Sequence, residues 1–310
     1  MKTLILIYIC LFSLLVQSAW AKLPGFSGME QINTDTYLVV IDKKAHKDGG
    51  RVGLLKTEAG GKLNFSPLQI SNWSHSDGQA SDLESVCRIP GKTNEYLLAE
   101  AGYWEGKYGR IFHIEITGIK ASVKNVYRIP KIVGSTKGID GDNFEGMVCF
   151  KSGNSTLVVL GERGGSSLYR NGYLRIGVLN YLNSSLSWDD YADKSLEIAA
   201  PGNWNNSQSK RSISDLYIGK NGVIWAVATE DAGDSGPFKS VIYKAAMISN
   251  EPGSYPIKAI HSKKAYWTID GFKIEALAGP SGVVPGSFMS IGTEDESYDG
   301  VWRPLFPPVE

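Results

Sequence analysis

Leu83-Glu84-Ser85-Val86, followed by Tyr96-Leu97-Leu98-Ala99-Glu100 and then Arg110-Ile111-Phe112-His113-Ile114, is the stretch on which the fold turns. It carries three features in order: a short apolar-acid-small-apolar motif, an apolar run closing on an acid, and a third run beyond a Gly-containing polar loop. The order recurs along the chain. The motif reads Phe26-Ser27-Gly28-Met29, Phe144-Glu145-Gly146-Met147, Ile213-Ser214-Asp215-Leu216 and Ile274-Glu275-Ala276-Leu277 in the other units. Its second residue falls at 27, 84, 145, 214 and 275, and the third run starts 24 to 30 residues later each time. The middle runs close at or next to Asp42, Glu100, Glu162, Glu230 and Glu294.

Runs of β-branched and aromatic residues bounded by Gly, Asn, Asp and Pro are strands. Repeats of about 60 residues holding three or four such runs predict an all-β chain folded as a β-propeller. Five motifs favour five blades, although the gap between the units at 145 and 214 has room for a sixth. A pair of β-sandwiches without internal symmetry is the alternative for the same strands. A period near 3.6 is sustained nowhere in the repeats, and Trp188 to Ile198 is a helical turn at most.

The whole chain has 310 residues, 42% of them apolar, with 35 Gly and 33 aromatics, enough to build a sizeable core. Lys+Arg and Asp+Glu are both 32, so no global field recruits nucleic acid or an anionic membrane. Lys2, the apolar run from Leu4 to Val16, and Ala19-Trp20-Ala21 read as a signal peptide over 1–21, leaving a propeller domain over 22–310. A secreted or periplasmic protein, without stable membrane insertion and acting as a monomer, is expected. Only Cys87 and Cys149 follow the signal. They fall three and four places after their motif acids, and this opposite parity predicts two buried thiols more than a bridge.

In a propeller, the start of each inner strand and the end of the next strand lie at the same mouth of the central channel. That gathers Glu84, Glu145 and Glu275 from the motif with Asp42, Glu100, Glu162, Glu230 and Glu294. Crowded carboxylates raise one another's pKa or demand a cation. Oxygen-rich sites suit Ca²⁺, and with four His and no zinc-type pair, calcium is the expected metal. Glu84, Glu145, Glu275, Glu230, Glu294 and Asp42 are the candidate ligands, and Glu162 and Glu100 the candidate bases. Tyr103, Trp104 and Arg163 are the candidate ligand-binding residues, from the loops joining the second and third runs. The competing reading makes the strand-ending acids turn caps.

Asp82-Leu83-Glu84, Phe144-Glu145-Gly146-Met147, Tyr96 to Glu100, and Gly109-Arg110-Ile111-Phe112-His113-Ile114 resemble the exported phytase-like, "esterase-like" β-propellers. They are similar also to periplasmic propellers with repeated Asp-Leu-Glu-Gly-Ile stretches. The resemblance implies a secreted propeller and calcium-assisted hydrolysis of phosphate or other esters, with Glu84, Glu145 and Glu275 as its site residues. Ser27 and Ser214 depart from the pattern, and the repeats lack a Lys/Arg cluster suited to a highly phosphorylated substrate. Two function classes follow: a metal-assisted hydrolase of phosphate or carboxyl esters, or a non-catalytic exported protein whose ring holds a structural cation and whose loops bind a glycan or peptide.

Overall fold

The computed structural model describes residues 22–44, 50–73, 78–102, 108–129, 143–191, 195–233, 235–249, 251, 254–261, 264–294 and 299–308. The expected signal segment, Tyr103 and Trp104 lie outside them. Each recurring unit folds into one antiparallel sheet, and five sheets form a five-bladed propeller. Blade 1 is β1 (Gly28–Gln31), β2 (Thr36–Val40), β3 (Val52–Thr57) and β4 (Leu63–Pro67). An edge strand β5 (Gln69–Ser71) then leads into blade 2: β6 (Leu83–Arg88), β7 (Glu95–Glu100), β8 (Arg110–Thr117) and β9 (Lys120–Arg128), with β5 parallel to β9. Blade 3 is β10 (Phe144–Ser152), β11 (Ser155–Glu162), β12 (Gly172–Asn180) and β13 (Ser185–Ser187), with β14 (Leu196–Ile198) also on β12. Blade 4 is β15 (Lys210–Ile218), β16 (Val223–Glu230), β17 (Lys239–Ile248) and β18 (Ile257–Ala259), with β19 (Trp267–Asp270) also on β17. Blade 5 has three strands, β20 (Ile274–Ala278), β21 (Met289–Thr293) and β22 (Trp302–Leu305).

The second strand of each blade is nearly continuously apolar because both its faces are covered. Leu97 packs toward blade 3 with Leu160, and its neighbour Leu98 toward blade 1 with Leu38. Val159 meets Ile224, Val227 meets Ile291, and Tyr37 meets Trp302 across the other three blade boundaries. The core is therefore five separate clusters, one per boundary. Among the described residues no strand of blade 1 completes blade 5; the ring closes through Phe26 N–H to Thr293 O (3.0 Å) and Gly300 N–H to Leu23 O (2.9 Å).

The motif's small residue explains itself at the axis. A Cβ on Gly28 would stand 2.7 Å from Glu84 O, and one on Gly146 would stand 2.9 Å from Leu216 N. Inner strands of neighbouring blades touch there, so the channel has a waist. In blade 4 the small residue is replaced by Asp215, buried, whose carboxylate accepts the N–H groups of Leu216 (2.7 Å) and, on the neighbouring inner strand β20, Leu277 (2.6 Å).

Cys87 and Cys149 form a disulfide, not the two thiols expected. Opposite parity was the wrong argument. It separates residues of one strand, but on stacked neighbouring blades opposite faces look at each other. Cys87 on β6 faces blade 3 and Cys149 on β10 faces blade 2, with Cα atoms 5.8 Å apart. The bridge closes a loop spanning 62 positions, so removing both sulfurs (Cys87→Ser with Cys149→Ser) should lower the unfolding free energy by about 2–4 kcal/mol in urea titrations.

Candidate functional site

The motif acids Glu84, Glu145 and Glu275 start their inner strands and converge on one channel mouth, around a cavity of about 320 Å³. Asp42, Glu294 and Arg163 join them; Glu100, Glu162 and Glu230 do not. The difference is one step along a strand. Val40, Ala99, Gly161 and Gly292 pair with the motif's small residues Gly28, Ser85, Gly146 and Ala276. Glu100 and Glu162 come one residue after that partner, whereas Asp42 and Glu294 come two after. Successive strand residues face opposite ways, so the two sets diverge, and Arg163, two after Gly161, faces the cavity like Asp42 and Glu294.

The outward set is structural. Buried Glu100 accepts from Arg110 Nη2 (2.6 Å) and Nε (2.9 Å) and from the N–H of Ser81 (2.9 Å). Glu162 Oε2 accepts the Gly164 N–H (3.0 Å), and Glu230 accepts those of Asn205 (3.0 Å) and Asn206 (2.7 Å). The structure thus places the candidate bases Glu100 and Glu162 and the candidate ligand Glu230 outside the cavity, on Arg110 and on backbone N–H groups.

Sequence reasoning missed Asp82, Asn143 and Lys273, each two residues before a motif acid and therefore on the same side of the chain. That spacing was the available signal. It also missed Lys44, Arg211 and Asp231, which also line the cavity. Asp82 adopts φ 58°, a left-handed conformation that Asp enters more readily than most residues. In blade 1, where Ser27 stands in place of the acid, its Oγ donates to Glu294 Oε1 (2.8 Å) and accepts the Asp42 N–H (3.0 Å).

Charge is unevenly distributed round the mouth. On one side Arg163 pairs with Glu145 (3.0 Å), Arg211 with Asp231 (2.7 Å), and Lys273 with Glu275 (3.0 Å) and Glu294 (3.2 Å). On the other, Asp42, Asp82 and Glu84 bring one oxygen each within 4.8 Å of one another. Among the described residues, the cation that pairs with them is the largely exposed Lys44, 3.7 Å from Asp82. Buried Oδ1 atoms of Asp42 and Asp82 have no hydrogen-bond partner.

These environments set the protonation. Burial, then Asp82 and Glu294, push Asp42 up to about 9. Burial and then Glu145 and Asp42 raise Glu84 well above the carboxylate range, and burial with Glu294 does so for Glu275. Burial pulls Glu294 up too, but hydrogen bonds from Glu275 and Ser27 and the charge of Lys273 hold it below its ordinary value. An acid whose folded pKa exceeds its unfolded value favours the folded state when protonated. That stabilisation is complete below the unfolded value and is lost as pH rises through the folded one. Without added cation, the urea midpoint should therefore fall as pH is raised from about 4 toward 9.

Oxygen ligands, no competing soft ligand among the described residues and two buried oxygens without a hydrogen-bond partner fit a hard divalent cation. Asp42, Asp82 and Glu84 are the residues that fit it.

No protein-family model matches the chain, and no curated protein does. Solved structures share its fold. A thermostable family-43 glycoside hydrolase superposes with a TM-score of 0.52 at 8% identity, over 91% of this chain and 88% of that one. An exo-1,5-α-L-arabinanase from a bovine ruminal metagenomic library gives 0.49 at 9% identity, over 92% and 94%. An exo-β-1,3-galactanase from Phanerochaete chrysosporium, solved with β-1,3-galactotriose, gives 0.48 at 11% identity over 93% of this chain but 63% of its own length. The propeller expected from the repeats is thus matched in architecture, while no family model supports the phytase-like grouping.

Proposed function

We propose that the protein is an exported hydrolase of phosphate or carboxyl esters, assisted by calcium and working at the acidic channel mouth. One observation carries the reading: Asp42, Asp82 and Glu84 converge within 4.8 Å, and the buried Oδ1 atoms of Asp42 and Asp82 have no hydrogen-bond partner among the described residues. These three residues would hold the ion, which when bound polarises an ester or phosphoryl oxygen and lowers the pKa of a bound water.

The chain's other groups divide the remaining work. Arg163, Arg211 and Lys273 face the cavity already paired with carboxylates, so an anionic substrate oxygen can take a carboxylate's place on them. Glu294, held ionised, accepts the proton of the attacking water. Glu275, whose protonated form is favoured by burial and by Glu294, supplies a proton to the leaving oxygen. This moves the base from Glu100 and Glu162 to Glu294.

The test pairs binding with turnover. Calcium should raise Tm, and EDTA should reverse the rise; Asp42→Asn should abolish it. Phosphomonoesters, carboxyl esters, lactones and, because the fold is shared with a family-43 glycoside hydrolase, aryl glycosides are then assayed with calcium. Hydrolysis of an ester supports the reading. Turnover of glycosides alone reassigns the substrate, and a calcium-dependent Tm with no turnover of any class leaves a cation-holding binding protein instead.

A further inference from the structure

Below the waist the channel opens again. A second cavity, of about 410 Å³, is lined by all five inner strands, and no residue is shared with the acidic mouth. Val148, Phe150, Leu216, Ile218 and Leu277 make its wall mainly apolar, and Glu30, Arg88 and Lys151 are its charged groups. A volume of this size with an apolar wall and a few convergent polar groups is what a small-molecule site requires.

Glu30 is the group that decides its chemistry. β1 carries its carboxylate into this cavity, where among the described residues it accepts a single, long hydrogen bond, from the Arg88 N–H to Oε2 (3.4 Å). Among the described residues no Lys, Arg or His nitrogen lies within 4.0 Å of it. Arg88 lines the cavity too, but its Nη2 donates to Gln31 O and Ile32 O, both at 2.6 Å, and the group lies over the Tyr96 ring. A carboxylate in an apolar cavity with no ion-pair partner is costly unless something supplies one. Burial accordingly lifts Glu30 to about 7, against the pull of Arg88.

We propose that this far end of the channel is a second binding site, for a small organic cation: a primary ammonium, paired with Glu30, on an apolar body seated against Leu216, Ile218 and Phe150. An ammonium offers the three donors and the charge that Glu30 lacks, and an apolar body fills the remaining wall. The site shares no lining residue with the acidic mouth.

Three probes of similar shape test it on the full chain by isothermal titration at pH 8: benzylammonium, benzyl alcohol and phenylacetate. Benzylammonium should bind saturably, at least tenfold tighter than the alcohol, with phenylacetate silent. Glu30→Gln should weaken benzylammonium at least tenfold while leaving the alcohol unchanged. Ile218→Trp, which fills the cavity and keeps Glu30, should remove both, and Glu84→Gln at the other mouth should alter neither. Absence of benzylammonium binding, equal affinity for all three probes, or unchanged binding in Glu30→Gln would overturn the assignment.

Discussion

Replacing Arg110 with methionine should destabilise the propeller by about 3–5 kcal/mol in urea unfolding, an effect near the upper end for single substitutions. Arg110 is fully buried, as is its partner Glu100, and two guanidinium nitrogens reach that carboxylate at 2.6 and 2.9 Å. Methionine leaves the charge of Glu100 buried, with only the N–H groups of Ser81 and residue 110 to receive it. It also removes donors from Gly78 O (2.7 Å) and Gln79 O (3.0 Å), which hold the segment entering β6. Glu100→Leu combined with Arg110→Met removes the stranded charge, so the double variant should lose less than Arg110→Met alone. Equal losses in the two would show that the ion pair is not what Arg110 maintains, and would reopen Glu100 as a free acid.

Glu84→Gln should lower kcat for the best ester substrate by about 10²–10⁴-fold and abolish the calcium-dependent rise in Tm. Glutamine keeps the shape but withdraws the charge from the one part of the mouth where Asp42 and Asp82 have little cationic compensation. Glu294→Gln should cut kcat by a similar factor while leaving the calcium response in place, since Glu294 is tied to Lys273 and Ser27. The split separates holding the ion from moving the proton. Loss of the calcium response in Glu294→Gln and its survival in Glu84→Gln would reverse the two roles.

The waist links these predictions to the fold. Gly28 and Gly146 let neighbouring inner strands touch, and Asp215 ties β15 to β20 through the Leu277 N–H. Side chains above that constriction are polar and charged, and those below are largely apolar. One propeller thereby carries two chemically unlike cavities on a single axis.

Linear order was enough to find the blades. A strand needs its β-branched and aromatic residues in one run, and a repeated unit needs them at repeated offsets, so three strands of every blade could be marked from Phe26 to Leu305. The motif acids were legible for the same reason, since the start of an inner strand is a local feature. Position across the sheet was not legible. Asp42 and Glu100 both follow a middle apolar run, yet a one-residue offset from the ladder turns Asp42 into the cavity and Glu100 toward Arg110. The disulfide and the Glu30 cavity belong to the same class. Each depends on which faces of separate blades meet, and that is settled only when five sheets pack around an axis and every side chain gains neighbours from a distant part of the chain.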